Sequence, residues 1–420
     1  MKFVFLNRYF HPDHSATSQI LTDLAIALGR THEVVVVTSR QRYDEPRVSL
    51  PRRDWVDRVN VRRVWTTRFG RDFLPGRALD YLSFHFSAGI ALLRIAARGD
   101  AVVAMTDPPL VSVVAAVVCA LKGTRLVNWL QDLFPEVAEA LGTRWLRGPA
   151  ASCLRGLRNG SLRAAEANVV LSEAMAARVE ALGVPGKSVR IIPNWANGAQ
   201  IRPIDAASSR MRRDCGLRQP FVVAYSGNMG RAHEFDTILR AAALIQAQDR
   251  QSNAPAEVRK RTVFLFIGGG AQRGSIESRG RELGITGLVF KPYQPRESLC
   301  DSLGAADVHL VSLRPELEGL IVPSKLYGIL AAGRPVVFIG AEDGEIAQLV
   351  RRERVGFAVR PGKDDELAGI LTGLRNDNSL RAEMGARARR VFEERFDFPI
   401  AAGKFEEVLD PRARFIEQPP

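Results

Sequence analysis

The chain has 420 residues, 46% hydrophobic and 25% charged, with a formal net charge of +13. That length exceeds one ordinary compact domain, and that composition excludes a disordered, collagenous or disulfide-stapled chain. Cys119, Cys153, Cys215 and Cys300 are far apart and make no CxxC spacing, so they read as free thiols of a reducing compartment; the six histidines make no paired zinc spacing.

The opening residues MKFVFLN are too short for the apolar core of a signal peptide and lead into His11-Pro12-Asp13. They read as a first strand, Lys2–Asn7, with a helix over Ser15–Gly29 after it. Further valine-rich runs are Glu33–Thr38, Val59–Trp65, Ala101–Thr106, Arg125–Leu130, Ala167–Ser172 and Val189–Asn194. They show little alternation, the pattern of parallel strands buried on both faces. Helical stretches such as Glu173–Leu182 separate most of them. Strand-helix alternation of this kind predicts an α/β doubly wound sheet.

Much of the basic excess falls at Arg52, Arg53, Arg58, Arg62, Arg63, Arg68, Arg71 and Arg77. The stretch Ala78–Arg98 follows, apolar with aromatics at helical spacing. Basic residues beside such a segment suit an anionic membrane surface; a solvated loop before an ordinary core helix is the alternative. No recognition motif accompanies the charge, so no nucleic-acid partner is expected. The apolar run Pro108–Leu121 is stopped by Lys122, short of the roughly 20 residues of a spanning helix.

The stretch 196–220 breaks the alternation with Asn197-Gly198, two prolines and a polar cluster, and reads as a linker. Strands then restart at Phe221–Ser226, Val263–Ile267, Leu288–Lys291, Val308–Val311, Pro335–Ile339 and Phe357–Arg360. Helices are expected over Arg381–Arg395 and Ile400–Leu409. The expected division is a first Rossmann-like domain over 1–198, a linker over 199–220 and a second such domain over 221–385. Terminal helices over 386–410, able to pack back across the cleft, and a tail over 411–420 complete it.

Loops after strands carry the chemistry of such sheets. One is Ser226-Gly227-Asn228-Met229-Gly230-Arg231, where Gly227 and Gly230 let backbone approach a ligand and Arg231 suits phosphate. A helix expected directly after it would add unpaired N–H groups, with Asn228 as a cap. A second is Gly268-Gly269-Gly270, where a dinucleotide fingerprint would need glycine at Arg273. A third is Glu318 to Gly333. There Pro323-Ser324 opens a helix that ends at Gly333 with Pro335 beyond. Amides near Ser324 and the charge of Lys325 suit an anion, while Glu318 suits sugar hydroxyls; a capped helix with a surface glutamate is the alternative. In Leu130-Gln131-Asp132-Leu133-Phe134-Pro135-Glu136, Asp132 reads equally as a helix N-cap and as a carboxylate that orients or deprotonates a hydroxyl. Asp107, before two prolines, reads as a turn residue.

These stretches, with FHPDHSATSQILTDLAIAL, TDPPL, IIPNWAN, YSGNMGR, ADVHLVSL and EGLIVPSKLYGILAAGRPV, cover nearly the whole chain. Together they resemble a retaining family 4 glycosyltransferase of GT-B fold, two Rossmann-like domains facing a cleft. The resemblance is nearest to bacterial members that build exopolysaccharide, capsule or O-antigen. It implies a nucleoside-diphosphate-sugar donor in the second domain, with Arg231 and Lys325 on the diphosphate. Glu318 would be the first of the family's paired glutamates; the second falls at Gly328. The family's usual lysine after the arginine is replaced by Asp236 and Thr237, so Lys325, with His233 nearby, would take that role. Pro292, Tyr293 and Gly269 would line the base and ribose. In the first domain, Ser15 and Thr17 replace a glycine-rich turn that covers the donor phosphates.

The resemblance further implies a polyprenyl-linked or glycan acceptor and a cytoplasmic protein held peripherally at the inner membrane. No cofactor and no metal are expected, in keeping with the missing D-x-D motif. Two other readings stand beside it: a hydrolysing sugar-nucleotide epimerase of the same fold, and a membrane-peripheral binding protein whose site has decayed.

Overall fold

The computed structural model describes residues 1–43, 45, 48–70, 74–143, 148–251 and 261–410. Arg71 and the expected tail 411–420 lie outside them. The chain divides into two compact units. The first holds Met1–Asn194, Gly319–Val322 and the stretch from Pro399; the second holds Trp195–Glu318 and Pro323–Phe398.

The strands of the first unit are β1 (Lys2–Leu6), β2 (Glu33–Ser39), β3 (Arg53–Val56), β4 (Val59–Val64), β5 (Ala101–Ala104), β6 (Arg125–Trp129), β7 (Ala167–Val170) and β8 (Val189–Ile191). They form one sheet in the order β3-β4-β2-β1-β5-β6-β7-β8. Every pair is parallel except β3 with β4. Val34 to Val37 of β2 and Phe3 to Leu6 of β1 are buried, so their valine-rich sequence answers helices on both faces. Each fully buried side chain of this size contributes about 1.5–3 kcal/mol. Strand β3 falls inside the basic cluster, where sequence suggested no strand. It turns back onto β4 through Asp57, which takes the left-handed conformation at φ 54°. In the same unit, Phe405 of the helix Phe398–Leu409 packs on Trp129, ring centroids 4.6 Å apart.

The second unit has β9 (Phe221–Ser226), β10 (Thr262–Ile267), β11 (Leu288–Lys291), β12 (Val308–Ser312), β13 (Val336–Ile339) and β14 (Gly356–Val359). The order is β11-β10-β9-β12-β13-β14, all parallel. Chain order reverses between β9 and β12. A sheet of this class leaves a crevice outside the carboxyl ends of its strands at such a point.

The stretch expected as a linker is docked on this sheet. Its helix Arg210–Asp214 buries Met211, and Leu217 follows into the same core. Arg212, 6% exposed, donates to both carboxylate oxygens of Asp307 at 3.2 and 3.0 Å and to the carbonyl of Leu217 at 2.7 Å. Asp307 also accepts from the amide of Val222 at the start of β9. Removing one partner of a buried ion pair strands the other charge. Asp307→Ala is therefore expected to lower the stability of the second unit by about 3 kcal/mol, read by urea unfolding.

Candidate functional site

Two of the glycine loops meet at the carboxyl edge of the second sheet. The amide of Gly227 donates to the carbonyl of Ile267 at 2.8 Å, and that of Met229 to Gly269 at 2.7 Å. Gln272 binds the carbonyls of Gly230 and His233 at 2.6 and 3.0 Å. The loop is thus laced to its neighbour and does not enter a helix at once. The helix expected directly after Gly-Asn-Met-Gly-Arg begins only at Asp236. Between them Met229 is buried, and a turn at Arg231-Ala232 is closed by the amide of His233 on the carbonyl of Gly230 at 3.1 Å. Glycine is required at 268: φ is +129°, and a Cβ there would strike the carbonyl of Gly227.

Lys325 opens the helix Lys325–Ala331, with Ser324 at the cap position and exposed. Its Nζ donates to the hydroxyl of Tyr225 and lies 3.8 Å from the centroid of that ring. The Tyr225 hydroxyl donates onward to the carbonyl of Asn228 at 2.9 Å, so its lone pairs face Lys325. Nε2 of His233 is 3.4 Å from Nζ. Nδ1 of His233 meets the Ser312 carbonyl at the end of β12, which can only accept. The proton therefore sits on Nδ1 and the Nε2 lone pair faces the lysine.

Electrostatics sharpen this cluster. Burial pushes the Lys325 ammonium well below the ordinary lysine value. Burial first, and the neighbouring Lys325 second, push His233 down to about 3, so the imidazole is neutral. Burial raises the Tyr225 phenol, which stays protonated. Among the described residues Lys325 forms no ion pair. A half-buried lysine with a neutral histidine, a phenol and glycine backbone around it is a place for an anion, which would favour its charged form.

Arg231 is exposed, with no hydrogen bond or ion pair among the described residues. Asn228 is exposed on the same loop. Tyr293, 52% exposed, lays its ring on the second glycine loop: a Cβ at Gly269 would lie 3.2 Å from it, and its hydroxyl is 3.3 Å from the Gly269 carbonyl. Pro292 beside it is exposed. The structure therefore brings Gly227, Gly268, Gly269, Tyr293 and Lys325 into one continuous surface.

Glu318 has a different setting from the one expected. Its Oε1 accepts from the amide of Glu345 at 2.9 Å, the first residue of the helix Glu345–Arg352. A carboxylate there stabilises a helix start. Gly328 faces Leu303 and Ile201, with a Cβ falling 3.3 Å from Leu303 Cδ1.

The remaining predicted residues belong to the first unit. Ser15 caps the helix Ala16–Leu28 without a side-chain bond, and its Oγ is buried with no partner among the described residues; Thr17 stands in the first turn. Asp132 follows β6. The nearby helix Glu136–Ala140 is capped at Pro135, so the N-cap reading of Asp132 is set aside. Its Oδ1 is buried and unpartnered. Burial raises its carboxyl to about 6, against a smaller opposing hydrogen bond from Thr106. Glu136 is held by Arg158 at 2.6 and 3.1 Å.

The sequence matches the family model of a glycosyl transferase 4-like domain over residues 16–195 and that of glycosyl transferases group 1 over residues 220–377, together well over half of the chain. The chain belongs to the glycosyltransferases. This glycosyltransferase is 26% identical over 304 residues to the probable glycosyltransferase WbjE of Pseudomonas aeruginosa, covering 72% of this chain and 73% of that one. It is 25% identical over 260 residues to WcaI of Escherichia coli (strain K12), whose name places it in colanic acid biosynthesis, covering 61% and 60%. Anabaena HepE, solved in complex with UDP, shares the fold at a TM-score of 0.69 and 17% identity, over 97% of this chain and 99% of that one. The two parallel-sheet domains are those of the GT-B fold.

Sequence reasoning missed Tyr225 and the amide of Glu345. Tyr225 reads as one more apolar strand residue, and nothing local ties Glu345 to Glu318. The raised carboxyl of Asp132 favours the folded state when protonated. The contribution of Asp132 to stability therefore falls as pH rises from about 3.8 to about 6, by on the order of 3 kcal/mol. Asp132→Asn is expected to remove that fall, seen as a melting-temperature gap over wild type that opens across this window.

Proposed function

We propose that this glycosyltransferase is a retaining, family 4 enzyme. It moves a sugar from a nucleoside-diphosphate donor to a hydroxyl of a lipid-linked glycan in cell-surface polysaccharide biosynthesis. The observation that carries the reading is Lys325, a half-buried lysine with no ion pair among the described residues, beside two glycine loops. A diphosphate would supply the missing negative charge. The UDP bound to HepE and the polysaccharide role in the name of WcaI support the donor class and the setting.

In this reading Lys325, with Arg231 beside the same loop, offsets the charge that grows on the leaving diphosphate, an electrostatic contribution to the transition state. Ser324, Gly227, Asn228 and Gly230 lie against the phosphates, and Tyr293, Pro292 and Gly269 against base and ribose. The acceptor oxygen bonds to the anomeric carbon as the bond from that carbon to the phosphate oxygen breaks. The hydroxyl proton passes to the leaving phosphate on the same face. No step needs a metal. Asp132, with its carboxyl near 6, would orient the acceptor hydroxyl. Ser15 and Thr17 would cover the phosphates. Glu318, with its Oε1 held by the amide of Glu345, would lie beside the donor sugar. No observation favours the epimerase or the decayed-protein reading.

A thermal-shift panel of UDP, GDP, dTDP and ADP tests the donor site. A rise with one diphosphate, lost in Arg231→Ala with Lys325→Ala, is the expected outcome; no rise with any of them contradicts it. Lys325→Ala alone is expected to keep the fold and lower transfer about a hundredfold. Wild-type turnover in that variant would sink its role on the diphosphate.

A further inference from the structure

Nζ of Lys325 has two oriented acceptors. One is the Tyr225 phenol oxygen, whose own proton goes to the Asn228 carbonyl at 2.9 Å. The other is Nε2 of His233 at 3.4 Å, whose lone pair faces the lysine because Nδ1 donates to the Ser312 carbonyl. An ammonium brings three hydrogens to such a seat and an amine brings two. Two acceptors match the amine: both hydrogens are taken, and the lone pair is left in the remaining tetrahedral direction. Lys325 is half-buried, and residue 227 puts no side chain over it. A Cβ at Gly227 would lie 3.6 Å from Lys325 Cε. Lysine in this seat forms no ion pair among the described residues, and lost hydration lowers its ammonium in the same direction. A desolvated lysine of this kind is a nucleophile, where an ordinary one is held back by its proton.

The adjoining backbone selects the electrophile. The amides of Asn228 and Gly230 make no hydrogen bond among the described residues, and Arg231 stands exposed on the same loop. Free amides on a glycine turn, with a guanidinium beside them, seat a phosphate. A small molecule that joins a phosphate to a carbonyl carbon would be held there with that carbon beside Nζ. We propose that Lys325 is an acylation site for small acyl phosphates, and that acylation switches off the diphosphate site. Nζ attacks the carbonyl carbon, and the bond from that carbon to the phosphate oxygen breaks. The proton lost from the nitrogen leaves with the phosphate. An amide and hydrogen phosphate are the products, with no oxidant or reductant needed. The amide nitrogen carries no charge, so the acylated protein lacks the cation that would answer a diphosphate.

The proposal rests on reading these loops as a phosphate seat, and its test separates the two. The full chain is incubated with acetyl phosphate at mildly alkaline pH, and acetylation of each lysine is followed by mass spectrometry. Lys325 is expected to react about tenfold or more faster than the exposed Lys187, Lys363 and Lys404, because an ordinary lysine is roughly 99% ammonium at such pH. Inorganic pyrophosphate is expected to slow Lys325 alone. Protein acetylated at Lys325 is expected to lose its thermal shift with nucleoside diphosphates. Three results overturn the proposal: Lys325 reacting no faster than the exposed lysines, a Lys325 rate that pyrophosphate leaves unchanged, or an acetylated protein that keeps its thermal shift. The shift of the unmodified chain tests the donor reading by itself, and it persists if only the acylation fails.

Discussion

Lys325 stands half-buried, where partial loss of hydration disfavours its charge and, among the described residues, no carboxylate answers it. Around it the protein provides a phenol oxygen, a neutral imidazole nitrogen and glycine backbone. Each of these accommodates the lysine without neutralising it. A carboxylate in place of His233 would have made a stable ion pair and a closed site. The arrangement leaves an electrostatic deficit of the kind a phosphate removes, and many features of the second unit serve to keep it in place. Ser312 at the end of β12 fixes the histidine tautomer and, through its hydroxyl, binds both the amide and the carbonyl of Glu234.

The sheet topology explains why the cluster stands where it does. Tyr225 belongs to β9 and Ser312 to β12, the two strands between which chain order reverses. Connections leave a crevice at such a point, and the glycine loops after β9 and β10 open onto it. The tight fit of Gly268 against Gly227 brings two backbones together where side chains would fill the space. Binding surface is thus made of main chain, with one charge and one half-exposed ring, Tyr293, added to it. On the first unit, Asp132 follows the same logic at the carboxyl end of β6, with burial holding its carboxyl near neutral pH.

Strands with valine runs were legible in the sequence because burial on both faces removes polar alternation. β1, β2 and all six strands of the second sheet stand within a residue or so of their expected positions. Strand β3 was hidden, since Arg53-Asp54-Trp55-Val56 is an edge strand whose partner is antiparallel and whose sequence is half charged. Lys325 was legible from its place at a helix start. Its lack of a counter-ion was not, because that depends on β9 and β12, some 100 and 15 residues away in sequence. Glu318 shows the opposite case. Sequence suggested a ligand carboxylate, and the fold gives that carboxylate a helix amide to hold. The loop after β9 was read as a helix entry because glycine pairs often mark one, whereas the bonds to Gly269 and Gln272 that keep it open are long-range.

The central claim is that a bound diphosphate supplies the charge Lys325 lacks. Its most direct test is the proton balance of nucleoside-diphosphate binding, measured calorimetrically at mildly alkaline pH in buffers of different ionisation enthalpy. A lysine with a depressed pKa in the empty site must take up a proton when the anion stabilises its charged form. The account predicts proton uptake on binding by the wild type and its loss in Lys325→Arg, whose charge does not titrate in this range. Binding without proton uptake, or uptake unchanged in Lys325→Arg, would contradict it.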